Sequence, residues 1–179
     1  MIIGSKIKLR DKRLSDARND YRWQTSPELV RLDAMPLLTT SFSQYLLDYT
    51  MALRHPTPNR YTFAIETFDG KHIGNCVYYN INETKNEAEV GIMIGDGDYW
   101  DKDYGTDAII VLVNHIFRQT NLKRLHLKTL DWNQRAQKCF QKCGFTPYGQ
   151  RTRDGYNFVL MELHRKQWQE RRSQVKGGG

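Results

Sequence analysis

What this sequence has little of narrows the field first. No apolar run approaches the roughly 20 residues of a membrane-spanning helix. The opening MIIGSKIKLR is too short an apolar stretch for a secretory leader. Residence in the cytoplasm and no membrane partner are therefore expected. Cysteine is sparse: Cys76, Cys139 and Cys143, an odd number at wide spacing, do not describe a disulfide framework. Cys139 and Cys143 lie four apart on a predicted helix and share a face, but no further His or Cys stands at ligand spacing. Buried free thiols and no metal are the expectation. His72, His115 and His126 show no partner pattern and read as structural. Negative charge is in deficit, with 27 Lys and Arg against 20 Asp and Glu for a net charge of +7. Such a balance suits polyanions, nucleic acid among them, or the phosphates of a small ligand. Much of the surplus sits after Leu163, in HRKQWQERRSQVK, the pattern of a solvated helix face. No nucleic-acid reading module or interleaved basic–aromatic surface accompanies it, so a nucleic-acid partner ranks last.

What is present reads as a globular domain. Hydrophobic residues make up 39% and charged residues 26% of 179 residues, and no repeat or interdomain linker interrupts them. One domain over 1–170 is expected, followed by a basic tail, 171–179, whose closing Gly177–Gly179 reads as a linker or expression remnant.

Along the chain, Lys6 to Arg10 alternates as a short strand. Ser15 opens a predicted helix as N-cap, Pro27 starts a second short helix, and Ser43 to Arg54 is amphipathic. Tyr61–Phe68 and Lys71–Asn80 flank Asp69-Gly70, a hairpin signal. Glu87 to Gly95 alternates, with Ala88, Val90, Ile92 and Ile94 on one face and Glu89, Gly91 and Met93 on the other. A strongly apolar helix runs from about Gly105 to Thr120. Lys123–Leu130 is a strand, Asn133–Cys143 a helix closed by Gly144, and Thr146–Thr152 with Tyr156–Leu163 a final hairpin. The class is α/β (α+β): a mixed, mostly antiparallel sheet of about seven strands with helices on both faces. Its one strand–helix–strand unit, Glu87 to Leu130, requires a parallel pair.

The chemistry concentrates between that strand and that helix. In DYWDKDYGTDA a polar loop turns into a helix N-terminus, whose first N–H groups lack internal partners and carry partial positive charge. Lys102 adds a full charge, Gly105 permits close backbone approach, and Thr106 can bond a phosphate oxygen. An ordinary capped turn is the alternative.

This loop resembles the acyl-CoA pyrophosphate loop of the GNAT-superfamily N-acetyltransferases. In the branch resembling ribosomal-protein N-acetyltransferases it runs roughly W-G-K-G-Y-G-T-E-A. A second match lies downstream: Asn133, Ala136, Phe140, Lys142, Gly144 and Phe145 follow the family's N-x-x-A-x-x-L-Y-x-K-x-G-F. The order of elements from Lys6 to about Arg165 fits the same fold, with its splayed parallel strand pair. The resemblance implies acetyl-CoA as co-substrate and a primary amine as acceptor, a protein N-terminus or a small molecule, handled by a monomer or homodimer. It implies CoA contacts along Trp100, Asp101, Lys102, Asp103, Tyr104, Gly105 and Thr106. Backbone N–H groups of Ile92, Met93 and Ile94 would hold the pantetheine arm and polarise the acetyl carbonyl. Asn133 would bond the pantetheine, though it is equally a helix N-cap. Arg135 and Lys138 could reach the 3′-phosphoadenosine, though each also reads as solvated surface charge.

For the base, Glu89 stands on the strand beside the proposed thioester; the plain alternative pairs it with a cation such as Lys85. Asp131 is a second carboxylate. Three positions depart from the family. Phe140 replaces a Tyr whose hydroxyl protonates the leaving thiolate, a task left to water, Tyr104 or Tyr148, and Phe140 also reads as core. Asp101 and Asp103 replace glycines, and their charge would stand near a pyrophosphate unless directed outward or paired with Lys102. These departures favour the competing reading, a weakly active or non-catalytic member of the fold serving as an interaction module.

Overall fold

The computed structural model describes residues 1–176; Gly177–Gly179, read above as a linker remnant, lie outside them. Eight strands form one sheet in the order β1-β2-β3-β4-β5-β6-β8-β7. They are β1 (Ile2–Ile3), β2 (Ile7–Asp11), β3 (Tyr61–Thr67), β4 (His72–Asn82), β5 (Glu87–Ile94), β6 (Arg124–Leu130), β7 (Thr146–Arg153) and β8 (Tyr156–His164). The strand beyond the expected seven is β1, two residues that pair antiparallel with Lys8 and Leu9. Every pairing is antiparallel except β5 with β6. Six helices accompany the sheet: α1 (Ala17–Gln24), α2 (Pro27–Leu32), α3 (Phe42–Arg54), α4 (Tyr104–Gln119), α5 (Gln134–Lys142) and α6 (Arg165–Lys176).

The sheet's alternation decides its layers. Ile7, Leu9, Ile65, Ile73, Cys76, Ala88, Val90, Leu125 and Leu127 are buried with Ala108, Ile109, Leu112, Ile116 and Phe117 of α4, which crosses that face. Asp107 in the first turn of α4 accepts from the backbone N–H groups of Ser5 (3.0 Å), Lys6 (2.7 Å) and Ile7 (3.1 Å), so the helix start is pinned to the edge of the sheet. The basic segment after His164 is α6, docked by Trp168, whose ring lies 5.2 Å from Phe117 and whose Nε1 donates to Asn114 Oδ1 at 2.7 Å.

The opposite face receives α1 through charge as well as through the buried Ala17 and Trp23. Arg10 donates to both Asp16 oxygens at 2.8 Å and also to Glu66. Lys12 pairs with Asp20 at 2.7 Å, Asn75 donates to Asp20 at 2.7 Å, and Tyr49 donates to it at 2.9 Å. Every buried side-chain polar atom among the described residues has a partner, as burial of such groups requires. Asp16, not Ser15, accepts the Arg13 N–H at the entry to α1, because the Arg10 fork fixes its carboxylate there. At the end of β5, Trp23 of α1 lies so close that a Cβ on Gly95 would run into its indole.

Candidate active site

The parallel pair opens soon after it forms. Between β5 and β6 the register covers Glu87 with Arg124, Ala88 with Leu125 and Glu89 with His126, and no further. Beyond Glu89, β5 continues against β4 as far as Ile94, while β6 continues against β8 as far as Leu130. The strands part, and burial along β5 reports it: Ala88, Glu89 and Val90 are buried, whereas Gly91 to Ile94 are only half-buried. The Gly95 N–H bonds to Ile73 on β4. The alternation of an antiparallel pair then turns the amides of Ile92 and Ile94 away from β4, toward the gap. In agreement, the Ile94 carbonyl accepts Trp100 Nε1 at 2.7 Å rather than a β4 donor. Met93, expected to share this role, alternates toward β4.

A cleft of about 1210 Å³ follows the opening. At one end it runs past the loop into α4. Asp101 and Asp103 take φ of 55° and 63°, the left-handed region in which the resembling family places glycine. An aspartate tolerates that region better than most residues because its short polar side chain can bond locally. Asp103 pairs with Lys142 of α5 at 2.8 Å, and this exposed pair holds its carboxyl below the usual range. Lys102 is not its partner: the Lys102 ammonium donates to the Asp98 carbonyl at 2.7 Å. Nor does Lys102 or Tyr104 line the cleft; Tyr104 packs edge-on against Tyr99 with Lys6 over its ring. The cations that do line it here are Arg135, Lys138 and Lys142.

Across this end stands α5. Asn133 caps it, accepting the Ala136 N–H at 3.2 Å, and still lines the cleft. Arg135 lies 3.8 Å over the Trp100 ring, a contact of cation–π type that fixes both side chains. Phe140 is 5% exposed, packs against Phe145, and belongs to the core while reaching the cleft wall. Cys139 and Cys143 do share a face, turned toward Thr106: Cys139 Sγ accepts the Thr106 hydroxyl and Cys143 Sγ donates to the Thr106 carbonyl, and the adjacent thiols shift each other, Cys139 downward and Cys143 upward. Neither alternative hydroxyl replaces a Tyr at 140. Tyr148 is exposed on β7 under Arg124, and Tyr104 faces away from the cleft.

Glu89 sits where the strands begin to part, buried on the face away from α4. Lys128, half a strand along β6, pairs with it at 2.8 Å, and Asn80 donates to its other oxygen at 3.0 Å. Lys85, the cation expected from sequence, is not the partner: it lies in the turn before β5, whereas β6 carries Lys128 alongside Glu89. Burial pushes the Glu89 carboxyl up, but Lys128, Tyr79 and Asn80 outweigh it and hold it below the ordinary value. Glu89 is therefore ionised at neutral pH. Asp131 does not line the cleft. The histidines are accounted for structurally: His72 is buried against Gly74 and Asn75, His115 meets the edge of Phe63, and His126 is half-buried on β6.

The other end of the cleft carries residues that no motif marked. Leu29, Leu32, Asp33 and Met35 come from α2 and the turn after it; Tyr45, Tyr49 and Leu53 come from α3; Arg60, Thr62, Asn75, Val77 and Tyr79 come from β3, β4 and their approach. Each element supplies one to a few positions, so no local pattern announces them. The one legible signal was the amphipathic stretch Ser43 to Arg54, which contains Tyr45, Tyr49 and Leu53. Among the described residues no group of three or more His, Cys, Asp or Glu is placed to hold a metal, and no helix is long and apolar enough to cross a membrane.

A strand pair that parts beside a polar loop and a helix N-terminus is what the resemblance read from the sequence implies, and comparison with known proteins agrees. The chain belongs to the acetyltransferase (GNAT) domain family, whose model matches residues 6–146, and it is accordingly an acyltransferase. It is similar to the uncharacterized N-acetyltransferase p20 of Bacillus licheniformis, 23% identical over 146 residues, 80% of this chain and 81% of that one. Among solved structures, spermidine N-acetyltransferase from Vibrio cholerae, in complex with CoA and spermine, superposes with a TM-score of 0.81 at 19% identity, over 92% of this chain and 99% of that one. Aminoglycoside acetyltransferase AAC(6')-Ib, in complex with coenzyme A, gives 0.76 at 18% identity, over 93% and 99%. At these identities the solved structures establish the fold.

Proposed function

We propose that this protein is an acetyl-CoA-dependent N-acetyltransferase that moves an acetyl group to a primary amine, on a small molecule or a protein N-terminus. The observation that carries the proposal is the parting of β5 and β6 after Glu89, which leaves the outward amides of Ile92 and Ile94 lining a cleft that ends at the N-terminus of α4. Acetyl-CoA fits what is there. Unpaired amides suit the thioester carbonyl and the pantetheine, and Asn133 faces the same path. The helix start with Arg135, Lys138 and Lys142 suits the phosphates.

The reaction asks little more of the chain. The acceptor ammonium loses a proton, and its nitrogen attacks the thioester carbon as the amides of Ile92 and Ile94 take up charge on the carbonyl oxygen. The C–N bond forms, the C–S bond breaks, and CoA leaves as thiolate. The ammonium's first proton goes to solvent before attack, and Glu89, ionised and at the cleft, takes through a water the second proton that the nitrogen sheds as the amide forms. Phe140 carries no proton, so the thiolate collects one from solvent.

The competing reading, a scaffold that has lost CoA, rested on Asp101, Asp103 and Phe140. The Asp103–Lys142 pair weakens it, because the carboxylate arrives with its countercharge. Both aspartates also keep the left-handed backbone that the glycines of the family would supply. The loop WDKDYGTDA supports a place in the branch resembling ribosomal-protein N-acetyltransferases. The structural relatives named for spermidine, solved with spermine, and for aminoglycosides support a small amine instead. The test is thiol release from acetyl-CoA against a panel of primary amines and N-terminal peptides. Amine-dependent release is expected; bound acetyl-CoA with no release from any amine would favour the scaffold reading.

A further inference from the structure

Two left-handed aspartates give the loop into α4 a backbone that glycine would adopt freely. Asp101 and Asp103 stand at φ 55° and 63° with Lys102 between them. Such backbone persists only where surrounding contacts hold it. Trp100 donates to the Ile94 carbonyl, the Lys102 ammonium to the Asp98 carbonyl, and Asp103 pairs with Lys142. One more contact comes from the far end of the chain. Lys6 Nζ donates to the Lys102 carbonyl at 2.8 Å, across 96 residues of sequence, and lies 5.5 Å from the centre of the Tyr104 ring. That carbonyl belongs to the peptide joining Lys102 to Asp103, the N-cap of α4. Lys6 therefore fixes the turn just ahead of the helix's first free amides. Its charge also bears on Asp103, whose carboxyl is held down by Lys142 first and by Lys6 from farther off.

Lys6 is itself held in place. Its backbone N–H, with those of Ser5 and Ile7, donates to Asp107 in the first turn of α4. The Gly4 N–H closes a turn onto the Ile7 carbonyl at 2.8 Å. A Cβ on Gly4 would stand 2.4 Å from Asp107 Oδ2, so glycine is what lets this turn sit against the helix start. The backbone of Lys6 is thus fastened to α4 while its ammonium reaches over Tyr104 to the loop. A lysine anchored in this way loses less entropy in making its contact than a free surface lysine.

We propose that Lys6 is a positioning residue for acetyl-CoA: by holding the Lys102–Asp103 peptide it keeps the loop and the first amides of α4 in the geometry that receives the pyrophosphate. This rests on the reading of the cleft as an acetyl-CoA site. Lys6 does not line the cleft and acts only through the loop. Glycines at 101 and 103 would take the left-handed turn without such a tie. In this chain the N-terminal segment supplies part of the order that the aspartates require.

Hydrogen exchange and calorimetry on Lys6→Met test this, with Lys6→Arg as the conservative rescue. Lys8→Met is the control: it removes the same charge two residues along, where the partner is Glu66 and not the loop. Without ligand, the amides from Tyr99 to Tyr104 should exchange about threefold to fivefold faster in Lys6→Met, the range of one exposed charged contact. Those in the middle of α4 should keep the wild-type rate, whereas a role in stability alone would speed exchange across the domain. Acetyl-CoA should bind Lys6→Met about threefold to fivefold more weakly than wild type. Lys6→Arg should recover most of that loss, and Lys8→Met should match wild type in both measurements. Unchanged loop exchange in Lys6→Met, wild-type affinity despite a loosened loop, or an equal loss in Lys8→Met overturns the assignment. A wild-type protein that binds no acetyl-CoA overturns the transferase reading and this role with it. Exchange of the loop without ligand is read independently of that failure and keeps the two apart.

Discussion

Replacing Gly105 by alanine is expected to stabilise the protein while loosening its hold on acetyl-CoA, and the opposed signs make the experiment informative. Gly105 is the second residue of α4 and lines the cleft. A Cβ built there would lie 3.6 Å from Ile94 Cγ1, 3.7 Å from Cys139 Sγ and 3.9 Å from Ile92 Cδ1, all ordinary contacts. The fold therefore has room for the methyl. Alanine restricts the unfolded chain more than glycine does, which in a helix stabilises by about 0.5–1 kcal/mol. The first turn should show the lower half of that range, a rise in Tm of about 1–2 °C for a domain of this size. The same methyl, however, protrudes between Ile94 and Cys139, both on the cleft wall, where the proposed ligand path passes from the β5 amides to the helix start. Overfilling a closely packed site costs about 1–3 kcal/mol, equivalent to roughly 5- to 150-fold in Kd. Thermal unfolding without ligand and calorimetry with acetyl-CoA give the two numbers. A Tm that rises while the affinity stays at the wild-type value would refute the path, because the methyl would then stand in space that the ligand does not use.

Glu89→Gln should lower kcat with little change in acetyl-CoA affinity, since the amide keeps the bond to Lys128 or Asn80 but cannot accept a proton; wild-type turnover across the pH range would assign the base elsewhere. Phe140→Tyr places a hydroxyl at a position that is both core and cleft wall. Turned to the cleft it should accelerate thiolate departure where that step limits, by up to about 10²-fold, whereas buried without a partner it costs about 1–3 kcal/mol. A large fall in Tm with no rate gain would put the ring in the core alone. Acid should unfold the protein in a range set by the network on α1. Against the desolvation that raises it, Arg10 and the Arg13 amide hold Asp16 down to about 2, below its ordinary value of 3.8. A depressed carboxylate contributes stability that is full above the ordinary value and is lost as pH falls through the folded one. The contribution is about 2 kcal/mol, and denaturant titrations from pH 5 to pH 2 should show it in wild type and not in Asp16→Asn.

Much of this arrangement was legible in the chain itself, for local reasons. The alternation of Glu87 to Ile94, the Asp69-Gly70 turn, the apolar face of α4 and the Asn133 cap are each encoded within a few residues, and the structure places them where those patterns predict. The parallel pair followed from topology, since a strand–helix–strand unit of that length leaves no other connection. What escaped depended on residues far apart in sequence. Lys128 reaches Glu89 only because β6 returns beside β5 after a whole helix, so the nearer Lys85 looked the better partner. Lys142 reaches Asp103 across two helices, whereas the adjacent Lys102 turns back to the Asp98 carbonyl. β1 is two residues long, too short for an alternation to show.

The account stands on the cleft between β5 and β6 holding acetyl-CoA, and calorimetric titration of the protein with acetyl-CoA tests that directly. Saturable one-to-one binding is predicted, weakened by Gly105→Ala and accompanied by a rise in Tm, as expected for a ligand that binds only the folded state. Absence of heat and of any Tm shift at millimolar acetyl-CoA would contradict it.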